Sequence, residues 1–134
     1  MTESLIDTDV LPFYFKGDAT VGESFAKYLQ LFDQVNISII TYFEIIGGLT
    51  YKQAQKQLSD FDDFVKNNNI IHITEASAKI SGNIYATLRQ QGITIGTSDL
   101  LIAGIALEND LVLVTNNVKH YSAIPGIRIE NWKI

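Results

Sequence analysis

Three acidic side chains stand where their neighbours make an acid costly. Asp7 closes the apolar stretch Ser4-Leu5-Ile6, Glu44 interrupts Ile39-Ile40-Thr41-Tyr42-Phe43-Glu44-Ile45-Ile46, and Asp99 opens Asp99-Leu100-Leu101-Ile102-Ala103. An ionised carboxylate is expensive to strip of water. If the fold gathers these three, they repel one another, and a divalent cation is the simplest group that offsets the repulsion. The chemistry that follows is metal-dependent attack on a phosphate ester. A hard ion such as Mg²⁺ takes oxygen ligands, keeps several waters and admits a substrate phosphate to its shell. It acidifies and orients a water for in-line attack and stabilises charge on the phosphoryl oxygens. Other chemistries lack their residues. There is no cysteine and no Ser–His–Asp arrangement, and Gly47-Gly48 is too little glycine for a phosphate cradle.

Each acid also has a structural reading. Asp7 and Asp9 could cap a following helix. Thr41-Tyr42-Phe43-Glu44 has the form of a capping box, in which Glu44 satisfies a backbone N–H. Asp99 could be a helix-capping or first-turn acid favoured by the dipole. Asn116 and Asn117 read as turn residues. Of the two histidines, His72 is expected in an apolar strand and His120 on the surface, with contact to a phosphate as its alternative, and the mechanism requires neither. Tyr42 and Phe43 read as core or dimer-contact residues.

The elements that must position these groups alternate between short apolar strands and amphipathic helices. Leu5-Ile6 with Val10-Leu11 reads as a buried strand broken at Asp7-Thr8-Asp9. Thr20-Val21-Gly22-Glu23 has the form of a capping box and opens a helix carrying Val21, Phe25, Tyr28, Leu29 and Phe32. Asn36 to Ile40 is a second strand, followed by a helix from Thr41 that stops near Gly47-Gly48. Ala54, Leu58, Phe61 and Val65 mark a helix ending at Asn67-Asn68-Asn69. Ile70 to Ile73 is a third strand. Ala76, Ile80, Ile84 and Leu88 mark a helix ending near Gly92, and Asp99 to Glu108 forms another. Leu111 to Thr115 is the strongest strand, and Ile127-Arg128-Ile129 the last before Trp132. Strands this short and this apolar are buried on both faces, as in a parallel α/β sheet with helices on either side. In such sheets, sites lie beyond the carboxyl ends of strands, which is where Asp7 and Asn116-Asn117 fall.

The chain has 134 residues, 46% of them hydrophobic, which suits one domain over residues 1–134. The absence of cysteine fits a reducing cytoplasm, and neither a signal peptide nor a membrane span is expected. A net charge of −5 is wrong for holding nucleic acid by bulk electrostatics but does not exclude a nuclease. Lys16, Lys52, Lys56, Arg89, Lys119 and Arg128 could form a local basic rim.

Four stretches together carry a resemblance. They are Leu5-Ile6-Asp7-Thr8-Asp9-Val10-Leu11, Thr41 to Leu49 around Glu44, Gly96 to Ala103 around Asp99, and Leu113-Val114-Thr115-Asn116-Asn117-Val118-Lys119-His120-Tyr121. Ile124-Pro125-Gly126-Ile127 and Glu130-Asn131-Trp132 follow them. In this order the chain resembles the PIN-domain nucleases, specifically the VapC-type toxins of bacterial toxin–antitoxin pairs. The resemblance implies a PIN-like three-layer α/β fold with a central, mostly parallel, short-stranded sheet flanked by helices. It implies a homodimer, a cognate VapB-like antitoxin, and Mg²⁺- or Mn²⁺-dependent cleavage of structured RNA, often a tRNA. It puts Asp7, Glu44 and Asp99 at the first three acidic positions, as metal ligands. Asn117 takes the fourth, where the family often has an acid, and this puts a second metal in doubt. Asp9, Ser98 and Thr115 would support them. Two other readings are a housekeeping PIN-type RNA-processing nuclease without an antitoxin and, more remotely, a receiver-like signalling domain holding Mg²⁺ on Asp7 and Asp9.

Overall fold

A computed structural model describes residues 1–134. Five strands form one parallel sheet: β1 (Ser4–Ile6), β2 (Asn36–Ser38), β3 (Asn69–Ile71), β4 (Val112–Val114) and β5 (Ile129–Glu130). Their spatial order is β3-β2-β1-β4-β5, with every neighbouring pair parallel. The register places Leu5 beside Leu113 and Ile6 beside Val114.

Successive strand residues face opposite sides, and here the two sides are separate cores. Leu5 and Leu113 pack with Ile84, Leu88, Ile102 and Ile105 on one face. Ile6 and Val114 pack with Leu11, Val21, Phe25, Phe61 and Trp132 on the other. Both faces are therefore dry, which is why the strands read as continuous apolar runs without alternation. Around the sheet lie α1 (Leu11–Phe15), α2 (Ala19–Leu31), α3 (Ile39–Tyr51), α4 (Gln55–Lys66), α5 (Glu75–Gln90), α6 (Thr97–Glu108) and α7 (Val118–Tyr121). The three-layer arrangement expected from the sequence is present. No helix is long and apolar enough to cross a membrane.

Several boundaries differ from those expected. Val10-Leu11 does not belong to a strand: Thr8–Val10 forms one 3₁₀ turn and Leu11 begins α1. Asp18, not Thr20, caps α2, its carboxylate accepting the Val21 N–H at 2.9 Å. Ser38, the last residue of β2, caps α3 by accepting the Thr41 N–H at 3.0 Å. Helix α3 thus starts two residues early, and it continues through Gly47-Gly48 to Tyr51. Ile45, Ile46 and Leu49 pack against the second core on both sides of the glycine pair, and this burial outweighs the roughly 1 kcal/mol that each glycine costs a helix. His72 lies exposed just past β3 instead of within it.

Helix α5 buries Ile84 and Leu88 as its sequence advertises, but its N-terminal turns bury serines beside the apolar face. Ser77, Ser81, Ile84 and Leu88 are buried, whereas Ala76 is exposed and Ile80 only half-buried. The cause is Gly104 on α6. A Cβ there would run into Ser81 Oγ and lie 2.6 Å from the Ser77 carbonyl oxygen. Backbones this close admit only small residues, and the Ser81 hydroxyl is satisfied by donating to the Leu100 carbonyl at 2.7 Å.

Candidate active site

The chain runs β1, β2 and β3 outward on one side, then returns to place β4 and β5 on the other. The β1/β4 boundary is therefore the point where strand order reverses, and sheets of this kind bind ligands there, beyond the carboxyl ends of the strands. Asp7 and Thr115 follow them directly. The Asp7 N–H donates to the Val114 carbonyl at 2.8 Å, extending the ladder by one bond past β1.

Asp7 is only 5% exposed. One of its oxygens accepts the Thr8 N–H at 2.8 Å and caps the 3₁₀ turn; the other accepts the Thr115 hydroxyl at 2.8 Å. The turn brings Asp9 to the same edge. Its carboxylate accepts the Asn116 N–H at 3.2 Å and lies 3.4 Å from Thr115 Oγ1. Asp9 thus ties the β1 loop to the β4 loop and caps no helix; α1 begins without a side-chain cap. The Thr115 hydroxyl also accepts the Asn117 N–H at 3.0 Å, so one side chain organises both loops.

Glu44 arrives from the second turn of α3. Because Ser38 caps that helix, Glu44 is too far along it to complete a capping box, which removes its structural reading. Instead Glu44 Oε1 accepts the Thr8 hydroxyl at 2.7 Å. A hydroxyl has one hydrogen to donate, so Thr8, which donates to Glu44, accepts from the Thr41 hydroxyl at 2.8 Å. Thr8 therefore links Asp7 through its backbone and Glu44 through its side chain.

Asp99 lies in the first turn of α6, after Gly96 at the cap position. One oxygen accepts the Tyr121 hydroxyl at 3.0 Å and the other faces His120 Nε2 at 2.8 Å. The sequence did not assign these roles, and His120 was expected on the surface, yet it is half-buried. One signal was available. A tyrosine buried on a one-turn helix needs a partner for its hydroxyl, and the loop after β4 leads straight to the acidic cluster. Ser98 precedes Asp99 and is half-buried. Asn117 is exposed at the start of α7, with its side chain free of hydrogen bonds, while the neighbouring Asn116 Oδ1 is buried without a partner.

These acids feel one another. Burial, then Asp9 and to a smaller degree Asp99, push the Asp7 carboxyl up to about 6, against the pull of the Thr115 and Thr8 hydrogen bonds. Burial also raises Asp9, opposed by its bonds from Asn116 and Thr115. Tyr121 is pushed upward by burial and by Asp7 and Asp99, so it stays a neutral donor. No lysine or arginine is paired with any of these acids.

Nowhere do three acids or histidines already close on one point as a finished cage. Mg²⁺ does not require one, because it binds through one or two carboxylates, several waters and substrate phosphate. Asp7 and Asp99 supply hard oxygen donors, and the orphaned Asn116 Oδ1 beside Asp9 would accept from a coordinated water. The donor set fits a hard divalent cation.

A pH dependence follows for the metal-free protein. An unfolded aspartate titrates near 3.8, whereas folded Asp7 keeps its proton up to about 6. Between these values the folded chain binds more protons than the unfolded one, so stability falls as pH rises through this window and stays lower above it. The shift of about two pKa units corresponds to roughly 2–3 kcal/mol. Calorimetry in EDTA should show the parent losing several degrees of Tm between about pH 4.5 and 7.5 relative to Asp7→Asn, and Mn²⁺ restoring them at the higher pH. Parallel pH profiles for the two proteins would contradict this.

Comparison with known proteins then decides the family. Residues 4–124 match the PIN domain. The chain belongs to the PIN-domain family. This PIN domain is 31% identical to the tRNA(fMet)-specific endonuclease VapC of Shigella flexneri, over 98% of the chain and 99% of that relative. Among solved structures it resembles DNA-bound VapBC from Salmonella typhimurium, with a TM-score of 0.89 and 32% identity over 98% and 99% of the two chains. VapBC2 from Rickettsia felis, bound to a promoter DNA fragment, gives a TM-score of 0.87 at 28% identity over 96% and 98%. The receiver-like reading falls: Asp99 sits on a helix, and no lysine follows β4 directly.

Proposed function

We propose that this PIN domain, acting as a single unit over residues 1–134, is the toxin of a VapBC-type pair. It is an endoribonuclease that works in the cytoplasm on structured RNA, with a tRNA as the expected class. The observation that carries this reading is Asp7: a nearly inaccessible carboxylate, held beside Asp9 and Asp99 with no basic partner, at the sheet's reversal point. Likeness to VapC relatives along nearly the whole chain supports the toxin role over a housekeeping nuclease.

Asp7 and Asp99 would be the principal ligands of Mg²⁺ or Mn²⁺, with Glu44 ligating directly or through water. When bound, the cation supplies an acidified water and stabilises charge developing at phosphorus. Thr115 holds Asp7 in place, and His120 with Tyr121 holds both oxygens of Asp99. Thr8 sets Glu44 relative to Asp7. Asn117 and Ser98 stand nearby with uncommitted polar groups and would hydrogen-bond substrate. The test is cleavage of total cellular RNA by purified protein with Mg²⁺, with Mn²⁺ and with EDTA, beside Asp7→Asn. Cuts that require metal and vanish in the variant are expected. Cutting that persists in EDTA or in Asp7→Asn would overturn the reading.

The working form would be a homodimer that a VapB-like antitoxin neutralises. Phe43 supports this. It is 71% exposed on α3, beside Tyr51 at 89% on the same helix, whereas Tyr42 packs inward on Phe61. Bare aromatics of this size on one helix favour a protein contact. Phe43→Glu should raise the dimer dissociation constant at least tenfold by analytical ultracentrifugation; a parent that sediments as a monomer would refute this role.

A further inference from the structure

A groove of about 430 Å³ runs between α1, α3 and α4, and Glu44 forms part of its wall. It is therefore continuous with the candidate active site. Phe61 and Ile45 line its floor, and Phe15 lies at its edge, 41% exposed despite packing against Phe61 and Phe64. Lys16 and Lys52 line the same groove. Both are exposed, and neither has an acidic partner or a side-chain hydrogen bond. The remaining groove acid, Asp60, is paired with Lys56 at 3.2 Å.

On a chain of net charge −5, two free ammonium groups facing one apolar groove beside a site that handles phosphates are out of keeping with scattered solubilising charge. The volume suits one nucleotide. An exposed phenyl ring offers any base a stacking face, worth about 1–3 kcal/mol, and lysines grip phosphate as point charges. We propose that this groove is a subsite for a single-stranded nucleotide flanking the scissile phosphate, with Phe15 as its stacking platform and Lys16 and Lys52 as its phosphate contacts. The proposal rests on the nuclease reading. It also explains how an acidic protein holds RNA: by a local subsite, not by its overall field.

The test separates binding from cleavage. Asp7→Asn protein serves as the parent, so that labelled RNA survives, and a fluorescent single-stranded RNA oligonucleotide is titrated in Mg²⁺ at several salt concentrations. Adding Lys16→Gln and Lys52→Gln together should weaken binding at least tenfold and flatten the log–log salt slope by about 1.4, at about 0.7 per lost contact with a single strand. Phe15→Ala should weaken binding without changing the slope. In the active enzyme the double variant should raise KM and leave kcat within twofold. Unchanged affinity and slope would overturn the subsite while leaving the nuclease reading intact. So would unchanged RNA affinity with weakened binding of a cognate antitoxin, which would give the groove to the protein partner. Exposed lysines carry little of the fold, and circular dichroism checks each variant.

Discussion

Asp99→Asn is expected to fold like the parent and to cleave RNA at least about 10²-fold more slowly. The size follows from removing one preorganised charge at a site where charge develops. The fold survives because asparagine has the same shape. Its oxygen can still accept from Tyr121, and its amide can donate to His120 Nε2 in the other tautomer. The loss is therefore of charge and not of position. Asp7→Asn makes the same point more sharply. It should abolish cleavage and yet raise Tm near neutral pH in EDTA, because it removes a buried carboxylate that burial and Asp9 both disfavour. Single-turnover cleavage with saturating Mn²⁺, read beside thermal melts, checks both variants. An Asp99→Asn protein cutting at the parent rate would remove Asp99 from the site.

Gly104→Ala should be the most damaging small substitution in the chain. The added methyl meets Ser81 Oγ and the Ser77 carbonyl. A serine side chain can rotate away, but a helix backbone cannot, so α5 and α6 must separate. Overpacking of this kind costs about 1–3 kcal/mol, or roughly 5–10 °C in Tm for a domain of this size. Activity should fall further than stability predicts, because α6 carries Asp99 at its first turn. Thermal unfolding by circular dichroism checks the first part, and kcat at a temperature where the variant remains folded checks the second. An unchanged Tm would show that the two helices slide apart freely.

The acids were legible in the sequence because an acid in apolar company is rare and costly. The parallel sheet was legible because strands buried on both faces lose alternation, as Leu5-Ile6 and Leu113-Val114 do. Helix starts were harder to read. Thr20 and Thr41 each had the form of a cap, yet Asp18 and Ser38 took the position, and only three-dimensional packing decides between competing caps. That choice mattered for function, since it released Glu44 from a capping role and gave it to Thr8. The roles of His120 and Tyr121 escaped notice because they lie in contacts with Asp99, more than twenty positions away, which periodicity does not encode. The serines of α5 escaped for a related reason: what they face is a glycine on another helix.

The bond between Thr115 and Asp7 joins positions 108 apart in the chain. Strand β1 cannot settle beside β4 until β4 exists. A ribosome making this polypeptide releases Asp7 and Glu44 first, when neither Asp99 nor Thr115 has been made. During that interval the candidate site lacks Asp99 and the hydroxyl that holds Asp7. The residues of the candidate site are therefore complete only when most of the protein has been translated.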